Sequence, residues 1–209
     1  MKHLPNIITG LRLVLTLVVF LAMLSLKTDA IFIWAMSHGV QPKMLGTSLY
    51  FLAFWGFVIA AATDFFDGWL ARKLGVESTL GAILDPIADK VLVAGAVVGL
   101  AVLGSWMVGL AGGLILFREF AVSALRETLA PKGLTLPVTL LAKWKTTLQL
   151  VALAAQFFVL GWGIWGLPHE EVLFKRATMG ADIVLWLAVA VTVWTGVEYA
   201  LAARKALKT

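Results

Sequence analysis

Long apolar runs dominate this 209-residue chain and constrain its fold more than any other feature. A helix needs about 20 mainly apolar residues to cross a bilayer, where its backbone groups must be satisfied without water. Hydrophobic residues make up 61% of the chain and charged residues only 14%, which is more apolar than soluble domains are. The sequence therefore predicts an all-α integral membrane protein.

The apolar runs divide the chain into six predicted transmembrane helices. The uncharged run at 91–117 is too long for one span, and the sequence LGSWM at 103–107 offers a tight turn that splits it. Pro and Gly punctuate the predicted loops at 130–137 and 166–170. We expect one membrane domain over residues 1–209, with helices at about 7–26, 44–72, 79–103, 106–129, 140–166 and 178–203.

Basic residues are distributed unevenly about these spans. With a cytoplasmic N-terminus, the opposite side of the membrane receives only Lys27, Lys43, Lys175 and Arg176. Cytoplasmic loops carry an excess of Lys and Arg, so both termini are predicted to be cytoplasmic. The net charge of +5 then reflects topology and contact with anionic membrane lipids, not binding to nucleic acid. The absence of cysteine excludes disulfides, thiolate metal sites and cysteine nucleophiles.

Four aspartates stand at the adjoining ends of two predicted helices. Asp64 and Asp67 share one face of the second helix, and Asp85 and Asp89 share one face of the third. The short connection KLGVES makes these helices antiparallel neighbours, so the two acidic faces are expected to meet near the cytoplasmic side. Ionised carboxylates so close together repel one another, and burial adds to the cost. A divalent cation removes both problems, and oxygen ligands without Cys or His suit Mg²⁺, Mn²⁺ or Ca²⁺.

Small residues and an arginine accompany the aspartates. Gly68, Ala71 and Gly81 leave room for a flat group to approach the helix backbones. Arg72 carries a planar guanidinium that suits phosphate oxygens. The segment therefore indicates a site for a metal-bound diphosphate with an adjoining base. The alternative for any single residue is a structural one, in which Gly or Ala serves close packing and an aspartate serves a helix contact.

The eight positions form the pattern D-x2-D-G-x2-A-R-x8-G-x3-D-x3-D, which resembles the signature of the CDP-alcohol phosphatidyltransferases. This resemblance implies a six-helix integral membrane enzyme, commonly a homodimer, that displaces CMP from a CDP-linked lipid with an alcohol. It further implies that Asp64, Asp67 and Asp85 hold divalent metals, Mg²⁺ or Mn²⁺. Asp89 is implied to complete a second metal site and to act as the general base.

The resemblance also implies a nucleotide site. Its members, which border the cytidine or the diphosphate, are Asp64, Gly68, Ala71, Arg72 and Gly81. On the first helix, Asn6, Thr9 and Arg12 share one face. They either touch the nucleotide or cap the helix and meet lipid headgroups.

Four further stretches resemble bacterial members of the family that use CDP-diacylglycerol and sn-glycerol 3-phosphate. They are LPNIITGLRLVLT (4–16), REFAVSALRE (118–127), AKWKTTLQLVAL (142–153) and WTGVEY (194–199). The resemblance implies transfer of a phosphatidyl group to the acceptor, giving phosphatidylglycerophosphate and CMP. It places the protein in the inner membrane of a bacterium, with the active site at the cytoplasmic face.

An acceptor that carries a phosphate dianion needs its own cationic pocket. Arg118 and Arg126 are eight residues apart and lie on nearly one helical face, and Lys143 begins the fifth helix on the same side. These three residues are the predicted acceptor-phosphate ligands. Alternatively, Lys143 anchors a helix end and the arginines pair with Glu119, Glu127 or an aspartate. Lys145 and Gln149 receive no individual role.

Two other readings of the sequence remain open. A divalent-cation transporter also needs intramembrane carboxylates, but it predicts acidic groups that continue through the bilayer. Within the family, a phosphatidylinositol, phosphatidylserine or cardiolipin synthase would use a different acceptor. An acceptor without phosphate, such as serine, would not need the predicted cationic cluster.

Overall fold

The computed structural model describes the backbone of residues 4–74, 79–132 and 140–207, and the side chains of 8–63, 84–131, 141 and 144–207. All regular structure in these residues is helical, including a 3₁₀ turn at Ala130–Lys132. The α-helices are α1 (Leu4–Ser25), α2 (Asp29–Ser37), α3 (Pro42–Leu74), α4 (Thr79–Val102), α5 (Trp106–Leu129), α6 (Leu140–Leu160) and α7 (Glu171–Ala206).

The six long helices coincide with the six that the apolar runs predict. Within the described residues, four stretches are long and apolar enough to cross a membrane: Ile8–Ser25, Pro42–Thr63, Trp106–Leu129 and Glu171–Ala206. A fifth stretch, Trp144–Leu160 in α6, is apolar but shorter. The protein is thus a helical membrane protein by length and composition of its helices.

Three features of the helices differ from the prediction. Short α2 was not predicted, α6 ends at Leu160 and not near residue 166, and α7 begins at Glu171 and not near residue 178. After α6 the chain forms turns, in which the Ile164 amide donates to the Gly161 carbonyl at 2.7 Å. Gly166 has a φ of +67°, which ends these turns in a conformation that favours glycine. The residues between these glycines are largely apolar, so hydropathy alone extended the helix too far.

The turn between α4 and α5 confirms the predicted division of the long apolar run. Gly104 adopts a φ of +113°, which a residue with a Cβ rarely adopts. Ser105 then caps α5, because its hydroxyl accepts from the Val108 amide at 3.4 Å. Two local signals therefore end one helix and begin the next.

The helices form a bundle in which α1 packs against both α3 and α4. At the other side, α7 packs against α5 and α6, and the contact of α4 with α5 joins the two groups. The core between them is apolar, with Met23, Phe57, Leu100, Ile115 and Phe157 nearly inaccessible. This arrangement brings the N-terminal halves of α4 and α6 and the C-terminal halves of α5 and α7 around one polar cavity.

The outer surface of the bundle is rich in large apolar side chains. Such residues are exposed on most of the long helices and include Leu17, Trp55, Ile59, Phe117 and Leu187. A soluble protein rarely exposes so continuous an apolar surface. Lipid chains are the environment that suits it.

The contact between α4 and α5 yields a prediction about stability. A Cβ on Gly112 would lie 2.1 Å from Val97 Cγ1 and 2.9 Å from Val97 Cβ, so rotation of the valine cannot relieve the clash. We expect Gly112→Ala to destabilise the protein by about 1–3 kcal/mol through overpacking. Thermal unfolding in detergent measures the change.

The neighbouring glycine provides the matched control. Gly113 is exposed, and a Cβ there would meet nothing within 4 Å. Gly113→Ala should leave stability unchanged or raise it by about 0.5–1 kcal/mol, because alanine favours the helix. Equal melting temperatures for the two variants would contradict the close packing at Gly112.

Candidate active site

A polar cavity of about 370 Å³ lies among α4, α5, α6 and α7. Charged residues of both signs line it, although it lies within an apolar bundle. Those from α4 and α5 are Asp85, Asp89, Lys90, Arg118, Glu119 and Arg126. Lys145 and Gln149 from α6 and Tyr199 from α7 complete its polar walls. Two predicted metal-binding aspartates thus share one cavity with both arginines predicted to bind the acceptor.

The two aspartates on α4 receive hydrogen bonds from α1. The Thr9 hydroxyl donates to Asp85 Oδ1 at 2.7 Å, and Arg12 Nη1 donates to Asp89 Oδ1 at 2.7 Å. The Arg12 side chain is 1% exposed and that of Asp89 is 40% exposed, so the carboxylate faces open space while the guanidinium is enclosed. A buried charge requires such a partner. The polar face of α1 therefore orients the carboxylates of α4.

This contact argues against the reading in which Thr9 and Arg12 meet lipid headgroups, whereas contact with the nucleotide stays a prediction. Both residues are buried, at 1% and 2% exposure, so they do not meet lipid headgroups. They lie beside the α4 aspartates instead, and Thr16 supports the turn by donating to the Arg12 carbonyl at 2.8 Å. The backbone of Asn6 belongs to α1, but its side chain lies outside the described residues.

The two arginines predicted from their spacing meet one tyrosine. Arg118 and Arg126 hold their guanidinium carbons 5.4 and 5.0 Å from the centre of the Tyr199 ring. Arg126 Nη2 also donates to the Tyr199 hydroxyl at 2.8 Å, and Arg118 Nη2 donates to Thr195 Oγ1 at 3.0 Å. Both cations are thus held by α7 through cation–π contacts and neutral oxygens.

A glycine on α7 lets Arg118 take this position. A Cβ on Gly196 would lie 2.7 Å from Arg118 Cγ. Thr195, Gly196 and Tyr199 all belong to the stretch WTGVEY, which the sequence marked without assigning roles. Their positions on α7 show what the stretch does: it forms the wall that supports both arginines.

Glu119 gathers three donors at the floor of the cavity. Its Oε1 accepts from the Lys145 ammonium, from Arg118 Nη1 at 3.3 Å and from Gln149 Nε2 at 3.4 Å. Gln149 Nε2 also lies 2.7 Å from Thr192 Oγ1. The Lys145 side chain is only 8% exposed, and an unpaired charge at such a site would cost several kcal/mol. Arg118 thus pairs with Glu119, and the same carboxylate also accepts from Lys145; binding of the acceptor phosphate by Arg118 stays a prediction.

Two cations of the cavity were missed in the sequence. Lys145 was noted without a role, and its signal was the four-residue step to Gln149, which puts both on one face of α6. Lys90 directly follows the last signature aspartate, and its ammonium donates to Ser123 Oγ on α5 at 2.6 Å. Neither partner of these lysines is close in sequence, so helix-face spacing did not reveal the contacts.

Several predicted site residues lie outside the described side chains. Their backbones place them on α1, α3, α4 or α6 as predicted, and they are Asn6, Asp64, Asp67, Gly68, Ala71, Arg72, Gly81 and Lys143. The described residues contain no group of three or more His, Cys, Asp or Glu side chains able to hold a metal. The predicted meeting of the two acidic faces therefore stays a prediction.

Comparison with known proteins relates this chain to a family. The profile of the CDP-alcohol phosphatidyltransferases matches residues 2–194. The chain belongs to this family. The resemblance inferred from the aspartate signature is thus confirmed, and the protein is a membrane transferase of phospholipid biosynthesis whose family uses divalent metal ions.

Similar individual proteins carry one shared name, CDP-diacylglycerol–glycerol-3-phosphate 3-phosphatidyltransferase. The protein from Cereibacter sphaeroides is 51% identical over 123 residues, which are 57% of this chain and about half, 53%, of that relative. The protein from Rickettsia felis is 35% identical over 204 residues, covering 98% of this chain and 97% of the relative. The protein from Bacillus subtilis is 40% identical over 156 residues, covering 73% and 74%.

The Glu119 network yields a prediction about coupled stability. Glu119→Gln leaves both Lys145 and Arg118 without their carboxylate, whereas Lys145→Met leaves Glu119 with Arg118. We expect Glu119→Gln to destabilise the protein by about 3–5 kcal/mol, because it leaves buried cations without their carboxylate. Lys145→Met should destabilise it less. The loss of unfolding free energy in the double variant should be about 1–3 kcal/mol smaller than the sum of the losses in the two single variants.

Unfolding free energies in detergent measure these costs. Glu127→Gln is the control, because Glu127 is an exposed residue on the same helix α5. Strictly additive costs of the two single substitutions would show that Glu119 and Lys145 do not form a coupled pair.

Proposed function

We propose that this protein transfers a phosphatidyl group from CDP-diacylglycerol to sn-glycerol 3-phosphate, giving phosphatidylglycerophosphate and CMP. Its family membership and the shared name of its relatives support the reaction class and both substrates. The observation that carries the proposal is the cavity. It joins Asp85 and Asp89 of the signature to Arg118 and Arg126, so the proposed base and a cationic anchor for the acceptor phosphate share one cavity.

In the proposed reaction, the 1-hydroxyl of glycerol 3-phosphate attacks the phosphorus that bears the diacylglycerol. A new P–O bond forms to the acceptor, and the P–O bond to CMP breaks, so that CMP departs with the bonding electrons. Asp89 takes the hydroxyl proton as the general base. Its 40% exposed side chain opens into the acceptor cavity, and the bond from Arg12 Nη1 fixes its orientation.

The proposed metal ligands are Asp64, Asp67, Asp85 and Asp89, with Mg²⁺ or Mn²⁺ as the cofactor. The described members fit this role, because Asp85 and Asp89 are hard oxygen donors one helical turn apart at a polar cavity. When bound, the metal neutralises the diphosphate and stabilises the departing CMP phosphate. The proposed nucleotide site assigns Gly68, Ala71 and Gly81 to the cytidine and Arg72 and Asp64 to the diphosphate. Asn6 and Thr9 of α1 are assigned to the same nucleotide.

The acceptor phosphate is proposed to bind among Arg118, Arg126 and Lys143. Arg126 is exposed, and its described hydrogen bond goes to a neutral hydroxyl, so its charge remains available for an anion. Lys145 adds a cation that the sequence did not assign. A phosphate dianion accounts for such a cluster, whereas acceptors without a phosphate, such as serine or inositol, do not require it.

The membrane arrangement proposed here follows the basic residues. Six helices span the inner membrane of a bacterium as one domain over residues 1–209, both termini are cytoplasmic, and the site opens to the cytoplasmic face. The basic residues near Arg204 and Lys205 at the end of α7 support this orientation. A homodimer is the proposed assembly, in keeping with the family resemblance.

An acceptor panel tests the proposed function. Purified protein is incubated with CDP-diacylglycerol, Mg²⁺ or Mn²⁺, and labelled glycerol 3-phosphate, serine, inositol or phosphatidylglycerol. We expect CMP release with glycerol 3-phosphate alone, and its loss when EDTA removes the metal. CMP release with another acceptor would assign a different synthase. Metal flux in vesicles without CMP release would favour a divalent-cation transporter.

The base assignment makes a separate prediction. Asp89→Asn should abolish turnover while CDP-diacylglycerol binding largely survives, because the other carboxylates retain most of the metal set. Asp29→Asn, an exposed aspartate on α2, is the matched control and should remain active. Loss of lipid binding by Asp89→Asn as severe as that by Asp64→Asn would contradict the role of Asp89 as base.

The support that Tyr199 gives to both arginines can be tested by two substitutions. Tyr199→Phe keeps the ring and removes the hydroxyl that Arg126 bonds, so the acceptor KM should rise by about fivefold, the value of one hydrogen bond. Tyr199→Leu removes ring and hydroxyl and should raise it further. The KM for CDP-diacylglycerol should stay constant in both. Equal rises in the KM for glycerol 3-phosphate and the KM for CDP-diacylglycerol would contradict a specific role of Tyr199 in the acceptor site.

A further inference from the structure

The cations of the cavity fall into two groups by their partners. Arg118 and Lys145 share the carboxylate of Glu119, and this pairing compensates much of their charge. Lys90 and Arg126 differ, because the ion pairs of the described residues include neither. Their hydrogen bonds go to uncharged hydroxyls, those of Ser123 and Tyr199.

Lys90 and Arg126 are both associated with the same part of α5. Both line the cavity, and Lys90 reaches from α4 to Ser123 on α5. Ser123 and Arg126 are three residues apart on that helix, so they share a face. The ammonium of Lys90 is therefore held at the same stripe of α5 that carries the guanidinium of Arg126.

Lys90 is partly buried in an apolar bundle, where a cation without an ion-pair partner among the described residues is costly, so the site indicates an anionic occupant. A hydrogen bond that only joins α4 to α5 would need no charge, since two neutral side chains could form it. Lys90 also directly follows Asp89. A phosphate held by Lys90 would keep the rest of a small acceptor close to the proposed base, as positioning of the reacting hydroxyl requires.

We infer that Lys90 is a ligand of the acceptor phosphate and binds it together with Arg126. This inference rests on the proposed function. It adds to the acceptor pocket a residue of α4, the helix that carries Asp85 and Asp89. The phosphate is unchanged in the reaction and is retained in the product. The Lys90 contact does not change with the bonds that form and break, so we expect its loss to act mainly on the KM for the acceptor.

The test compares four variants. Lys90→Met should raise the KM for glycerol 3-phosphate by about tenfold or more, the value of a lost charge-assisted hydrogen bond, with kcat and the KM for CDP-diacylglycerol nearly constant. Lys90→Arg keeps the charge and should stay within about threefold of wild type. Ser123→Ala breaks the tie but keeps the cation, and should also change KM little. Lys175→Met, at an exposed lysine near the start of α7, is the control.

Inorganic phosphate isolates the subsite from the rest of the acceptor. It should inhibit wild type competitively against glycerol 3-phosphate, and Lys90→Met should raise its inhibition constant by the same factor as KM. It should also raise the melting temperature of wild type but not of Lys90→Met, a measurement that needs no turnover. Where Lys90→Met fails to fold, Lys90→Gln retains a donor to Ser123 without the charge.

The outcomes separate the two proposals. Activity of wild type with an unchanged KM and phosphate inhibition in Lys90→Met would overturn the inference and leave the proposed function standing. The inference also falls if Ser123→Ala reproduces the effect of Lys90→Met, or if the lipid KM rises instead. Absence of CMP release by wild type, with phosphate stabilisation that still depends on Lys90, would overturn the function and retain the phosphate site.

Discussion

Compensation of buried charge is the constraint on which the arrangement of this bundle depends. Arg12 on α1 bonds Asp89 on α4, and Glu119 on α5 bonds Lys145 on α6. Each pair joins two helices, and a helix rotated out of place would leave a charge stranded among apolar side chains at a cost of several kcal/mol. Asp89, Glu119 and Lys145 also line the cavity. Polar groups that the chemistry needs therefore also specify which helix faces meet.

Much of the fold could be predicted, because its signals are local. Apolar runs gave the long helices, and the glycine and serine of LGSWM gave the boundary between α4 and α5. The predicted end of α6 was wrong because Trp162, Ile164 and Trp165 are apolar, and hydropathy does not distinguish apolar residues in turns from apolar residues in a helix. Gly161, the first residue after α6, packs against Tyr50, since a Cβ there would lie 2.3 Å from the ring. Such a contact between distant segments leaves no local signal.

The candidate site could also be predicted mainly where its signals lie within one helix. The spacing of Arg118 and Arg126 put them on one helix face, and the structure brings both to one tyrosine. Their partner Tyr199 lies 73 residues beyond Arg126, and Glu119 lies 26 residues before Lys145. Helical periodicity relates residues within one helix and cannot pair faces of different helices. The fixed signature of four aspartates was informative because it crosses two helices at constant spacing.

Gly196 has a consequence for how this pocket can change. At Gly196 the wall that α7 presents to Arg118 is main chain, and the side chains of Thr195 and Tyr199 contact the guanidinium beside it. A larger residue at position 196 would displace the Arg118 side chain. Selectivity for a different alcohol can therefore change with Arg118 left in place only through other residues of the cavity.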